Sequence, residues 1–219
     1  MTDVRTPSRP DLLALHGVRL LGFADAGRIA GYVRLPVADV DEHLLDAEAR
    51  GWVRRSAFAG ATGWSITESG RRENERQLAE ELDATGAREV AVATHAGFLP
   101  LNRRFGTACT NWQIRPQPWD RMAANDHTDW PWDDAVLRSL TSLGAALDRV
   151  CAPLAAALPR FDRHVPRYRA ALAKVDRGER AWVDAPDRAS CHIVWIQLHE
   201  DLLATLGLER GTDDPASVV

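Results

Sequence analysis

The chain is poor in the residues that build disulfide frameworks and membrane spans. Its three cysteines, Cys109, Cys151 and Cys191, are far apart and odd in number. This pattern indicates reduced thiols and excludes a disulfide scaffold and a Cys-x-x-Cys metal site. No apolar run approaches the roughly 20 residues needed to span a bilayer. The polar start MTDVRTPSRP lacks the apolar core of a signal peptide. We therefore expect a cytoplasmic protein with no membrane partner.

Lysine is almost absent as well. Lys174 is one of 27 basic residues, and 31 acidic residues give a net charge of −4. The chain therefore has no overall electrostatic footprint for nucleic acid, and a DNA contact would need a local basic surface. Repeats, Gly/Ser linkers, a P-loop, a Gly-x-Ser-x-Gly motif and a dinucleotide fingerprint are all missing. These absences predict no cofactor.

The first 86 residues alternate between helical and strand patterns. Apolar spacing predicts a helix over Leu12–Leu21. Asp25 is a suitable N-cap for a helix over Ala26–Tyr32, and Pro36 opens a third helix that Gly51 ends. A strand then follows around Trp52–Arg55, with the glycine-bearing segment AFAGATG as a hairpin tip and WSI as the returning strand. Thr67 is the predicted N-cap of the next helix.

Two segments of this region, AGRIAGYVRLPVADVDEHLLDAEARGWVRR and GWSITESGRR, resemble the winged helix-turn-helix family, particularly the MarR-like regulators. The resemblance covers about Leu12 to Leu82. It implies a mainly α fold with a small β wing, and double-stranded DNA as the partner. The helix Val37–Arg50 would then read the major groove while the wing at Arg54–Gly63 contacts the backbone. The implied DNA-binding residues are Arg28, Arg34, His43, Arg50, Arg54 and Arg55.

The charge of this region opposes that function. Residues 1–86 contain 11 arginines and 14 acidic residues, a net charge of −3. Acidic residues dominate the outward face of the third helix, where phosphates would repel them. Two functions therefore stay open for this module: binding DNA through a rim of arginines, or binding a protein through the acidic helix.

The second half reads as helical throughout. We predict helices over Ala87–Phe105, from Trp132 onwards, over Pro166–Asp176, and over a last segment that Asp187 or Ser190 caps and Gly207 ends. A long loop is predicted over Gly106–Pro131, because this stretch is weakly patterned and contains Pro116, Pro118 and Pro131. Loops of this length are often functional. The chain is thus predicted to be a winged helix-turn-helix domain (1–86) followed by an all-helical ligand-sensing or dimerisation domain (87–219), in a homodimer.

Six of the eight tryptophans follow residue 110. Aromatic walls with a few polar groups suit a small organic effector, although the same side chains can simply fill a core or a dimer interface. The candidate ligand-binding residues are Asn111, Trp112, His127, Trp130, His192, Trp195 and His199.

The loop segment ANDHTDWPWDD, residues 124–134, refines this hypothesis. Asp129 or Asp133 can cap the helix that follows, and Pro131 suits its first turn. Asp126, His127 and Trp130 have no such role. We predict that these three residues face a cavity bordered by Trp112, His192 and Trp195.

A metal-dependent enzyme is the remaining alternative. His192, Trp195 and His199 share a helical face, and His127 with Asp126 or Asp129 could join them. The spacing differs from the His-Glu-x-x-His zinc pattern, and no metal ligand is assigned. The sequence therefore favours a regulator over an enzyme.

Overall fold

A computed structural model describes residues 8–58 and 60–209, without the Phe58 side chain. This part of the chain is mainly helical, with one two-stranded antiparallel sheet. The elements are α1 (Pro10–Leu21), α2 (Ala26–Val33), α3 (Val37–Ala49), β1 (Val53–Phe58), β2 (Ala61–Ile66), α4 (Glu68–Thr85), α5 (Arg88–Gln113), α6 (Trp130–Ala157), α7 (His164–Val175) and α8 (Cys191–Leu206). Short 3₁₀ helices lie at Pro159–Arg163 and Arg180–Trp182. None of the described helices combines the length and apolarity that a membrane crossing requires.

The chain divides into two compact units. Unit 1 contains the described residues up to Ala91, residues 157–160, and those from His199 onwards. Unit 2 contains Val92–Ala156 and Phe161–Leu198. Unit 1 is therefore discontinuous in sequence, whereas the sequence predicts a single boundary at residue 86.

Local capping sets the start of two helices in unit 1. The Asp25 carboxylate accepts a hydrogen bond from the Arg28 backbone N–H at 2.8 Å, and the Thr67 hydroxyl accepts one from the Gly70 N–H at 3.0 Å. Both predicted N-caps are thereby confirmed. Thr67 Oγ1 also donates to the Gly51 carbonyl oxygen at 2.7 Å, which ties the start of α4 to the turn after α3.

The sheet of unit 1 is a hairpin with one added bridge. Val53 pairs with Ile66 and Ala57 with Thr62, so the strands extend into the segment predicted as a hairpin tip, residues 57–63. The predicted hairpin is confirmed, and its tip is shorter than predicted because β-ladder pairing continues past the glycine at position 63 as far as Phe58 and Ala61. An isolated antiparallel bridge also joins Ala24, between α1 and α2, to Trp64 of β2.

The core of unit 1 lies between its first three helices and the hairpin. Val18, Ile29, Val40, Leu44 and Trp64 are all buried there. Their spacing along each helix follows the apolar stripe that the sequence predicts.

A second interior region of unit 1 is polar. The buried His16 ring places Nδ1 3.0 Å from Asn74 Oδ1 and Nε2 3.0 Å from Asp201 Oδ1. Arg160 donates to the same Asp201 carboxylate, and its Nε donates to Glu81 at 2.7 Å. These partners come from α1, α4, residue 160 and α8, so the two late chain segments satisfy buried polar groups of the earlier helices.

Unit 2 corrects the predicted end of the fifth helix. Instead of stopping at Phe105, α5 passes through Pro100 and continues to Gln113. Phe105, Ala108 and Trp112 are buried at helical spacing and extend the apolar stripe that begins at Phe98. The predicted loop over 106–131 is consequently wrong at its start, and its end differs by two residues, since the connection spans residues 114–129.

The later helix starts agree more closely with the sequence. The Asp129 carboxylate accepts from the Trp132 N–H at 3.2 Å, and the Ser190 hydroxyl accepts from the Ile193 N–H at 3.3 Å. Both residues were among the predicted caps. Gly207, at φ 67°, follows the end of α8 as expected.

Candidate functional site

The exposed face of α3 carries one sign of charge. Its exposed residues, here called the α3 surface, are Val37, Ala38, Asp39, Asp41, Glu42, Leu45, Asp46, Glu48 and Ala49. Five of these nine residues are acidic. Leu45 is 56% exposed and stands one helical turn from Asp41, Glu42 and Glu48. The α3 surface therefore presents an apolar side chain within a ring of carboxylates.

The arginines predicted to contact DNA are exposed on the elements next to α3 in the sequence. Arg28, Arg34, Arg50, Arg54 and Arg55 are all exposed, and His43 is partly buried. Arg54 and Arg55 are adjacent on β1, so their side chains leave opposite faces of the hairpin.

Aromatic rings hold some of these guanidinium groups close to the hairpin. The Arg50 guanidinium carbon lies 4.9 Å from the centre of the Trp52 ring, and that of Arg55 lies 5.7 Å from Trp64. Arg54 Nε donates to Ser65 Oγ at 3.4 Å. The hairpin is thus locally basic beside an acidic helix.

Unit 2 brings one group of predicted ligand residues together around Asp133. The fully buried Asp133 carboxylate lies 3.0 Å from His127 Nδ1 and accepts from Asn125 Nδ2 at 2.9 Å. Arg180 donates to it at 3.3 Å. The His127 ring is also 4.4 Å from the centre of Trp112. His127 is therefore oriented by a carboxylate on one edge and by a tilted indole ring beside it.

The backbone at His127 shows how this arrangement is held. His127 has a φ of 58°, a left-handed conformation that few residues other than glycine adopt. Its N–H donates to Asn125 Oδ1 at 3.1 Å, a short Asx-type turn. The loop conformation and the Asp133 contact thus fix the ring together, and both also serve to close the loop on α6.

The other predicted ligand residues lie elsewhere. Asp126 is exposed and bonds its own neighbour Thr128, and Trp130 is 57% exposed. Trp195 is buried against Phe105, with ring centres 4.2 Å apart, and the His192 ring lies 6.2 Å from Phe105. His199 belongs to unit 1.

These positions show which of the six residues predicted to form a cavity contact one another. Of its six members, only His127 and Trp112 are in ring contact with each other among the described residues. Trp195 fills the core instead, and its Nε1 donates to Asn102 at 2.9 Å.

Asn111 lines a groove that the sequence does not predict. The groove lies between α5 and α6, has a volume of about 270 Å³, and is lined by Arg104, Thr107, Ala108, Asn111, Trp132, Ala135, Val136 and Ser139. Each helix contributes residues at i, i+3, i+4 and i+7, which all share one helical face. The sequence does not predict Arg104 as a site residue because the predicted helix ends at Phe105, which interrupts the stripe from Arg104 to Asn111. Ser139 lies on the predicted sixth helix, and no local pattern marks it as part of a site.

Cys109 and Cys191 of unit 2 are not poised for nucleophilic chemistry. Burial raises the pKa of the Cys191 thiol to about 12, and burial together with Asp184 raises that of Cys109 to about 12. The thiolate is the nucleophilic form, so both thiols are unreactive near neutral pH.

Among residues 8–58 and 60–209, no three His, Cys, Asp or Glu side chains are grouped so as to hold a metal ion. No protein-family model, curated protein or solved structure matches the chain.

Proposed function

We propose that residues 10–66 form a winged helix-turn-helix module. Three helices are followed by a hairpin, and the Ala24–Trp64 bridge adds a third backbone segment to the small sheet. A turn of only three residues, 34–36, joins α2 to α3, as a helix-turn-helix requires. In this module α3 occupies the position of the recognition helix.

The partner of this module, in our proposal, is a protein that presents basic side chains around an apolar contact. The α3 surface is the observation that carries this proposal. DNA phosphates repel its five carboxylates, whereas lysine and arginine side chains of a protein complement them. An apolar contact for Leu45 supplies the buried centre that protein interfaces need.

DNA binding through the hairpin is the second candidate. The exposed Arg54 and Arg55 favour it, because arginine side chains of a wing can bind DNA phosphates even when α3 does not enter the major groove. In that case α3 would face away from the duplex.

Fluorescence anisotropy with a labelled random-sequence duplex separates the two candidates. We expect no saturable binding by the native chain at physiological salt. The variant Asp41→Asn/Glu42→Gln should bind somewhat better at low salt, because two repulsive charges are gone. Tight binding by the native chain that Arg54→Ala/Arg55→Ala weakens would instead establish the DNA function.

Affinity capture with matched variants tests the protein partner directly. The test variant is Asp41→Lys/Glu42→Lys, and the control is Glu68→Lys/Asp83→Lys, which reverses two exposed carboxylates of α4. A true partner is retained by the native chain and the control, is lost with the test variant, and rebinds as a purified protein. Equal capture by all three proteins would overturn the proposal.

Unit 2 is proposed to be the effector-binding and dimerisation half of such a regulator. The groove between α5 and α6 supports the first of these roles, since it offers polar groups and an indole wall to a small molecule.

A further inference from the structure

We infer that the groove between α5 and α6 is a binding site for a small organic carboxylate with an apolar body. This inference rests on the effector-binding role proposed for unit 2 and names the class of ligand; it does not depend on whether the partner of α3 is a protein or DNA. It rests on three features of the groove: an unneutralised cation, free polar groups, and space bounded by small apolar side chains.

Arg104 is the cation. Its guanidinium makes one long contact, from Nη2 to Ser142 Oγ at 3.5 Å, and has no carboxylate partner within the described part of the chain. Several other arginines of unit 2 differ in this respect. Arg115, Arg138 and Arg169 each pair with an aspartate. Arg104 is therefore available to bind an anion from solution.

Polar groups stand at helical spacing around this cation. The Asn111 amide and the Ser139 hydroxyl have no hydrogen-bond partner in the described ranges, and both line the groove with Arg104. Thr107 Oγ1 donates to the Arg103 carbonyl oxygen at 3.2 Å and can still accept. These groups can orient a ligand through hydrogen bonds once Arg104 has bound its charge.

The remaining walls are apolar and leave room. Ala108 and Ala135 face the groove where larger side chains would close it, and Val136 completes the apolar floor. Trp132 forms one end, and its ring is held in place because Nε1 donates to the Asn111 carbonyl oxygen at 2.7 Å. A fixed indole offers an aromatic or aliphatic body a flat contact surface.

The charge of the groove favours one class of anion over another. One guanidinium neutralises a single negative charge, and its planar fork matches the two oxygens of a carboxylate. A phosphate monoester carries close to two charges at neutral pH, and the groove supplies no second cation for it. A carboxylate is therefore favoured over a phosphate.

Calorimetric titration with three related probes tests the inference: 3-phenylpropionate, its neutral amide, and phenyl phosphate. We expect 3-phenylpropionate to bind with a dissociation constant of about 1 mM or tighter, as suits a ligand of this size. The amide should bind about tenfold or more weakly, because it lacks the charge-assisted bonds to Arg104. Phenyl phosphate should also bind more weakly than the carboxylate.

Three variants localise the binding. Arg104→Ala should weaken 3-phenylpropionate about tenfold or more, whereas Arg103→Ala, which removes the neighbouring exposed cation, should leave it unchanged. Ala135→Leu should abolish binding by filling the groove while Arg104 remains, and circular dichroism checks that each variant is folded. The inference is overturned if no anion binds, if the amide binds as well as the acid, or if Arg104→Ala and Arg103→Ala behave alike.

Discussion

At the scale of single residues, burial decides which groups are reactive. Cys191 is fully buried, and its thiol pKa of about 12 lies well above the ordinary value near 9. We expect iodoacetamide at pH 8 to leave Cys191 unmodified in the native protein and to modify it rapidly in urea. Mass spectrometry of digested samples measures this difference. Modification of Cys191 at equal rates in both states would contradict the burial.

The same shift has a consequence for stability at alkaline pH. A pKa raised by folding means that the folded state holds the thiol proton more tightly than the unfolded chain. The contribution of Cys191 to stability is therefore complete below about pH 9 and is lost as the pH rises towards 12. Urea unfolding of the native chain and a Cys191→Ala variant should show a steeper alkaline loss for the native chain.

Asp201 is the residue on which the buried polar network of unit 1 converges. Its carboxylate contacts both His16 and Arg160, and all three side chains are almost fully buried. Asp201→Ala leaves the Arg160 charge with one acidic partner fewer inside the protein. We expect a loss of about 3–5 kcal/mol in the free energy of unfolding.

Urea unfolding monitored by circular dichroism measures this loss. Asp83→Ala, which removes an exposed carboxylate, is the control and should change stability little. A loss for Asp201→Ala no larger than that of the control would show that the network contributes nothing.

At this scale, the sequence predicts some features of the candidate sites and misses others. It identified the acidic face of α3 from residue type and helical period, and it singled out His127 as a loop residue with no capping role. It assigned Asp133 only to the start of a helix. The approach of Asn125, His127 and Arg180 to Asp133 arises from a loop conformation that no period encodes.

At the scale of elements, one glycine sets how closely α4 approaches the turn after α3. A Cβ atom on Gly70 would lie 1.9 Å from the Trp52 carbonyl oxygen, which is backbone and cannot rotate away. Gly70→Ala should therefore destabilise the protein by several kcal/mol or prevent its folding.

Gly31 is the matched comparison for this substitution. It is helical and exposed, and a Cβ there meets nothing within 4 Å. Gly31→Ala should stabilise the protein by about 0.5–1 kcal/mol, since alanine loses less backbone entropy in a helix. Thermal unfolding of both variants measures the contrast, and equal effects at the two positions would refute the packing assigned to Gly70.

Helix ends were harder to predict than helix centres. Asp25, Thr67 and Gly207 mark ends correctly because caps act within a few residues. The stop predicted at Phe105 fails, since Gly106 and Thr107 look like helix breakers while the burial of Ala108 and Trp112 outweighs their weak local preference. Tertiary packing decides such cases.

At the scale of the whole molecule, unit 1 is assembled from distant stretches of chain. A fragment of residues 1–91 contains His16, Asn74 and Glu81 but lacks Asp201 and Arg160. His16 would lose its contact with Asp201 and Glu81 its contact with Arg160, at a cost of about 1–3 kcal/mol each, whereas the His16–Asn74 contact would remain. We expect this fragment to melt well below the full-length chain, or without a cooperative transition, in circular dichroism. A fragment as stable as the native protein would show that the late segments are dispensable.

The mainly helical class of the chain could be read from hydrophobic period alone, because each helix carries its own stripe. The set of chain segments that make up unit 1 could not be predicted in this way. Nothing in the local pattern of residues 157–160 or of α8 indicates that these segments pack with helices near the start of the chain.

The contact between His16 and Asp201 also determines when unit 1 can be completed during synthesis of the chain. These residues are 185 positions apart. At about 5–20 residues per second, the ribosome needs roughly 10–40 s to add the second after the first. During that interval the nascent α1 and α4 expose the polar groups that α8 will later cover. Unit 1 therefore cannot be completed before α8 has been synthesised, and chaperones have time to bind the exposed groups.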